Sequence, residues 1–216
     1  MNNYSIELRL NANLAPTTEI ELKGAAYSLI AALDHLFSSS VGKEASMCNY
    51  IDWENTLKQN QMVEGSALWD CIYPMWEYAE NGGEVPNIYD DLLGDLAKWL
   101  SAVNGYCEYH GDYFNHHIIK VILKCLAKLK LINKLDPNEL VTLSSGWFPQ
   151  FSEDNFTLVE LALLAGMKNI RTVRNAQYDK EEPLSFIKTG GQVLVTREHA
   201  VAWLAKRKGF DESILI

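Results

Sequence analysis

The sequence predicts a mainly α protein in two parts: an acidic, bundle-like helical domain over residues 1–151 and a small C-terminal unit over residues 152–216. Three observations carry that prediction. Apolar residues recur at helical spacing through four stretches of the first part. The charge is divided unevenly: residues 1–151 hold ten Lys and Arg against nineteen Asp and Glu, the whole of the formal −9, whereas residues 156–210 hold nine cations against five anions. Between the two, "SSGWFPQFSEDNF" gathers serines, a glycine, a proline and acids in the manner of a linker, which puts the boundary near Phe151.

The first part opens with Tyr4, Ile6, Leu8 and Leu10 alternating with polar residues, a period of two that predicts one strand. From Thr18 the pattern becomes helical, with Ala25, Leu29, Ala32, Leu33 and Leu36 on one face. A second helical region runs from about Trp53 to Glu80, with breaks or kinks expected at Gly65 and Pro74. Ile88, Leu92, Leu96 and Trp99 mark a third between Asn87 and Val103, and "YFNHHIIKVILKCLAKLKLI" is the fourth and most apolar. Short connections between four helical regions predict a bundle.

Composition limits the function classes. With 48% hydrophobic residues the 216-residue chain can bury a real core, so disorder is not expected. No apolar run follows MNNYSIE and no segment approaches a membrane span, so the chain reads as soluble and cytoplasmic. Cys48, Cys71, Cys107 and Cys125 lie far apart with no CxxC pair, and read as small buried hydrophobes of a reducing compartment.

Several groupings invite chemistry and do not assemble it. Cys107, His110, His116 and His117 fall within one short span, but adjacent histidines point about 100° apart on a helix and the paired spacings of structural zinc sites are missing. No metal and no cofactor are expected. His35 stands alone among aliphatic neighbours and reads as a capping or surface residue. Lys120, Lys124 and Lys128 recur at i, i+4 and i+8 opposite Ile118, Ile122, Cys125 and Leu129; the expectation is a solvated basic face. Trp53, Trp69, Trp76 and Trp99 read as aromatic core. No nucleophile, base and orienting group can be argued together, so an enzyme is not expected.

The second part is more informative. Thr157 and Glu160 form a capping box that should start a helix carrying Leu158, Leu161, Ala162 and Ala165 inward, and Gly166 should end it through a left-handed turn. A second helix then begins near Asn169. If Ile170 and Val173 face inward, Lys168, Arg171, Thr172 and Asn175 fall outside with Arg174 at the margin. Phe186 and Ile187, then Gly190-Gly191, then Val193 to Val195 predict a β-hairpin with Lys188 near its tip. Thr196 caps a last helix bearing Ala200, Trp203 and Leu204, and Lys206, Arg207 and Lys208 suit its negative end.

Helix, turn, helix, hairpin and helix in that order, in "LVELALLAGMKNIRTVRNA" and "IKTGGQVLVTREHAVAWL", resembles the winged helix-turn-helix modules of the excisionase and MerR type. The resemblance covers residues 155–210, about a quarter of the chain. It implies double-stranded DNA as partner, with Lys168, Arg171, Thr172, Arg174 and Asn175 toward the major groove and Lys188 with the Gly190-Gly191 turn near the backbone or minor groove. Two features depart from the pattern: the turn is one residue longer, and the Gln177–Glu182 loop carries three acids. The function expected is a sequence-specific DNA-binding protein, a transcriptional regulator acting as a homodimer, whose residues 1–151 dimerise or sense a small-molecule or protein effector. The alternative is a protein-interaction or assembly protein that uses the winged helix without DNA.

Overall fold

The structure, a computed structural model, describes residues 13–41, 56–110, 116–132, 154–180, 183–207 and 210. Helix α1 (Glu19–Val41) starts at a capping box absent from the sequence reading: the Thr18 amide donates to Glu21 Oε2 at 2.9 Å, and the Glu21 amide to Thr18 Oγ1 at 3.3 Å. Leu22, Ala25, Ala26, Leu29 and Ala32 form its buried face. Helix α2 (Thr56–Glu64) breaks at Gly65 as expected, and Ser66 caps α3 (Ala67–Trp76) by accepting from the Trp69 amide at 3.1 Å. Pro74 sits inside α3 and does not end it. Lacking an N–H, it removes one rung of the ladder, and the helix continues as a π-helical turn (Glu77–Asn81) closed by Gly82 at φ +73°. Helices α4 (Asp90–His110) and α5 (His117–Leu131) follow. Among the described residues the fold is mainly helical with one small sheet, and no helix is long and apolar enough to cross a membrane.

Helix α5 is the centre of the molecule. Every residue from Ile118 to Leu131 is buried. Helices α1 and α3 and the π-helical turn pack on one side of it. The expected solvated lysine face is therefore corrected. Lys120 Nζ donates to the Ala15 carbonyl at 3.0 Å, Lys124 pairs with Glu80, and Lys128 Nζ donates to the Tyr78 carbonyl at 2.8 Å. Periodicity separates the two faces of a helix but does not say what covers the polar one. Here it is covered by carbonyls and one carboxylate, which satisfy the ammonium groups as burial requires.

Lys120 holds an irregular strap, residues 13–18, across the helices. Thr17 is fixed on three sides: its amide donates to Glu80 Oε1 at 3.3 Å, its carbonyl accepts from Trp76 Nε1 at 2.7 Å, and its hydroxyl meets His117 Nδ1 at 3.3 Å. Burial pushes the His117 imidazole below its ordinary pKa, with the Lys120 charge acting the same way and Glu21 opposing. Trp69 and Trp76 are core residues, as expected, and Tyr73 stacks between them with centroids 5.1 and 5.7 Å away. The expected strand at Tyr4–Leu10, together with Trp53 and Cys48, lies outside the described residues.

The C-terminal elements follow the predicted order with one addition. A strand, β1 (Asn155–Thr157), precedes α6 (Leu158–Leu164), whose capping box is present. Gly166 turns the chain at φ +62° and Asn169 caps α7 (Ile170–Asn175), which runs on as a 3-10 turn (Ala176–Tyr178). Strands β2 (Ile187–Thr189) and β3 (Gln192–Thr196) form the hairpin, and α8 (Arg197–Leu204) is capped by Thr196. Sheet order is β1-β3-β2, all antiparallel, with Phe156 opposite Val195 and Lys188 opposite Val193. Gly190 and Gly191, at φ +59° and +82°, make the two-residue turn whose twist matches the strands.

The expected domain boundary near Phe151 lies outside the described residues. On either side of it the packing is continuous: one apolar cluster runs from Leu14 through α5 to Leu204 and Phe210. Helix α5 packs directly against α6, and Lys130 Nζ reaches both carboxylate oxygens of Glu160 at 3.0 and 3.2 Å. Arg197 Nη1 donates to the Leu131 carbonyl at 3.1 Å, and the Leu14 amide to the Lys168 carbonyl at 2.8 Å. The strap thus ends on the turn between α6 and α7.

Candidate nucleic-acid interface

The site is built by two apolar anchors on a very short helix. Ile170 and Val173 are buried, Val173 completely, and three residues apart they turn one face of α7 onto α6. The other positions then have no choice but to face outward. Arg171, Thr172, Arg174 and Asn175 are all exposed. Asn169 Oδ1 accepts from the Arg171 amide at 3.0 Å, which fixes where the helix begins and hence the direction of the Arg171 side chain.

Lys168 is exposed on the turn before α7, its carbonyl held by Leu14. Lys188 and both turn glycines are exposed on the hairpin, where all of β2 is open to solvent. All eight residues singled out in the sequence therefore reach the surface on two consecutive elements, α7 with its preceding turn and the hairpin.

Not every cation of this part is available. Arg197 is committed to the Leu131 carbonyl, and the Arg207 guanidinium lies over the Trp203 ring at 4.4 Å. Lys180 and Lys206 are exposed, and Lys208 lies outside the described residues. Of the three acids in the departing loop, Asp179 is exposed, while Glu181 and Glu182 lie outside the described residues.

One exposed residue was missed. Tyr178 is 76% exposed, although it is a large aromatic. Three residues of 3-10 helix make one full turn, so Tyr178 stands directly beyond Asn175 on the outward face. The backbone beneath it is tied down: the Asp179 and Leu184 amides both donate to the Ala176 carbonyl, at 3.2 and 3.0 Å. In the sequence, Tyr178 falls within the acidic Gln177–Glu182 loop, and only the continuation of α7 reveals its alignment.

The histidine and cysteine grouping is only partly within view. His117 opens α5 against Thr17, and the side chains of Cys107 and His110 lie outside the described residues. Among the described residues no three His, Cys, Asp or Glu side chains cluster as metal ligands. His35 is half-buried on α1. No protein-family model, curated protein or solved structure matches this chain.

Proposed function

We propose that the chain is a sequence-specific DNA-binding protein, a transcriptional regulator that uses residues 155–210 as a winged helix-turn-helix. The observation that carries this reading is the outward face of α7. Ile170 and Val173 are committed to the core, so two arginines, a threonine and an asparagine are presented together, with Lys168 and Lys188 at the flanks. That set supplies bidentate donors for base edges and cations for phosphates, the two kinds of contact a groove-reading helix makes. The order β1-β3-β2, with an exposed hairpin following α7 and its 3-10 turn, supports reading that hairpin as a wing beside a recognition helix.

In this reading Arg171 and Asn175 meet bases, and Lys168, Arg174 and Lys188 position the duplex. The net charge of −9 keeps non-specific affinity low, so the protein depends on base contacts for tight binding. Residues 1–151 supply dimerisation or sensing, and two copies address two half-sites. The continuous core through α5 supports a sensing role, because a change at the strap or α5 has packed side chains through which to reach α6 and α7.

Selection from a random duplex pool with the full chain, followed by titration, tests the reading. Arg171→Ala should cost roughly 1–3 kcal/mol at the selected site and relax base preference, whereas Lys188→Ala should weaken all sequences alike and lower the salt slope by about one. No enriched sequence and no salt-dependent binding would end the DNA reading, leaving a winged helix that contacts protein.

A further inference from the structure

We infer that Tyr178 is a neutral phosphate-binding side chain at the far end of the same surface, donating its phenolic hydrogen to the duplex backbone at the wall of the groove. This rests on the DNA reading above. From Arg171 to Tyr178 the chain rises four α-helical steps and three 3-10 steps, about 12 Å at ordinary rises of about 1.5 and 2.0 Å per residue. The major groove is itself about 12 Å wide. In this class of docking the N-terminal residues of the recognition helix contact base edges. Arg171 and Asn175, about 6 Å apart along that rise, lie over the bases, and Tyr178, about 6 Å beyond Asn175 or half the groove width, reaches the wall of the groove, where phosphates lie.

The side chain suits that place. It is 76% exposed, so its hydroxyl is open to a partner, and the ring is carried on backbone anchored twice to the Ala176 carbonyl. A phenol is an ordinary donor to phosphate oxygens. Being uncharged, it adds a contact without releasing a counterion. It also tolerates the neighbouring Asp179 better than a lysine would, because an uncharged donor forms no competing ion pair with that carboxylate.

The test uses the full chain, the selected duplex and fluorescence anisotropy at several salt concentrations. Tyr178→Phe should bind about ten- to hundredfold more weakly at every sequence, as expected for loss of one hydrogen bond to a charged acceptor, with an unchanged salt slope. Replacing phosphates one at a time by methylphosphonate should reveal one position that weakens the native chain and not Tyr178→Phe. If Tyr178→Phe binds as the native chain does, the phosphate contact is wrong, whether or not Tyr178→Ala is weakened through lost ring contact. A steeper or shallower salt slope for Tyr178→Phe would also overturn it. Absence of any salt-dependent binding by the native chain is a different result: it removes the DNA reading and this inference with it. Far-ultraviolet circular dichroism of both variants, expected to be native because the side chain is exposed, checks that folding is intact.

Discussion

Replacing Lys130 by methionine should destabilise the protein far more than an ordinary surface lysine would. The Lys130 and Glu160 side chains are 2% and 7% exposed, and Lys130 Nζ is also 4.4 Å from the Phe156 ring centroid. At 3.0 Å and the effective dielectric of about 20 that suits protein sites, the pair attracts by about 5.5 kcal/mol before desolvation. Methionine fills much the same volume and adds no charge. It leaves Glu160 buried with the Thr157 amide, at 2.7 Å, as its remaining donor in this cap. Breaking a buried pair from one side costs about 3–5 kcal/mol, and the loss here should fall in that range. Lys130→Met/Glu160→Gln should recover about 2 kcal/mol of it, because a neutral amide oxygen still accepts from Thr157 while the orphaned charge is gone. Urea unfolding followed by tryptophan fluorescence gives both numbers. A single variant that loses less than about 1 kcal/mol, or a double variant no better than the single, would refute the reasoning that α5 and α6 are joined by a desolvated ion pair.

Further expectations follow from individual sites. Gly190→Ala should cost about 1–2 kcal/mol although an added Cβ meets nothing within 4 Å, because φ of +59° strains any residue with a side chain; Gly190→Asn should cost less, and equal losses in thermal unfolding would contradict this. Since burial lowers the His117 pKa, the unfolded chain takes up that proton more readily. The contribution is therefore fully present above the unfolded value of about 6.5 and is lost as pH falls through the lowered folded value; His117→Gln should flatten the decline in stability between about pH 7 and 5, and an unaltered slope would remove this role. Cys125 is fully buried and its thiol is pushed up to about 12 by that burial, so thiol reagents at mild pH should label it only after unfolding; rapid native labelling mapped to Cys125 would show that α5 is open to solvent.

Much of the C-terminal unit was legible in the sequence because its information is local. A capping box needs only Thr157 and Glu160 three residues apart, a left-handed turn needs Gly166, and a two-residue hairpin turn is declared by Gly190-Gly191 between β-branched runs. The outward positions on α7 follow from Ile170 and Val173 in the same way. The four helical regions of the first part and the break at Gly65 are also products of spacing and backbone preference. Strand β1 was not legible: three residues are too few for a period of two to register, and its pairing partners on β3 lie some forty residues away.

By itself, then, the sequence determined where helices start and stop, which face of α7 is apolar, and that the cations gather after residue 156, since each depends on neighbours a few residues apart. Only the tertiary structure decided what meets those faces. The Lys120, Lys124 and Lys128 stripe is covered by the strap and the π-helical turn, Glu160 is at once a helix cap and the counter-ion of Lys130, and Leu14 holds the turn before α7. An ammonium group satisfies the same helical periodicity in water or beneath a carbonyl, and its energy depends on the distant groups that desolvate it.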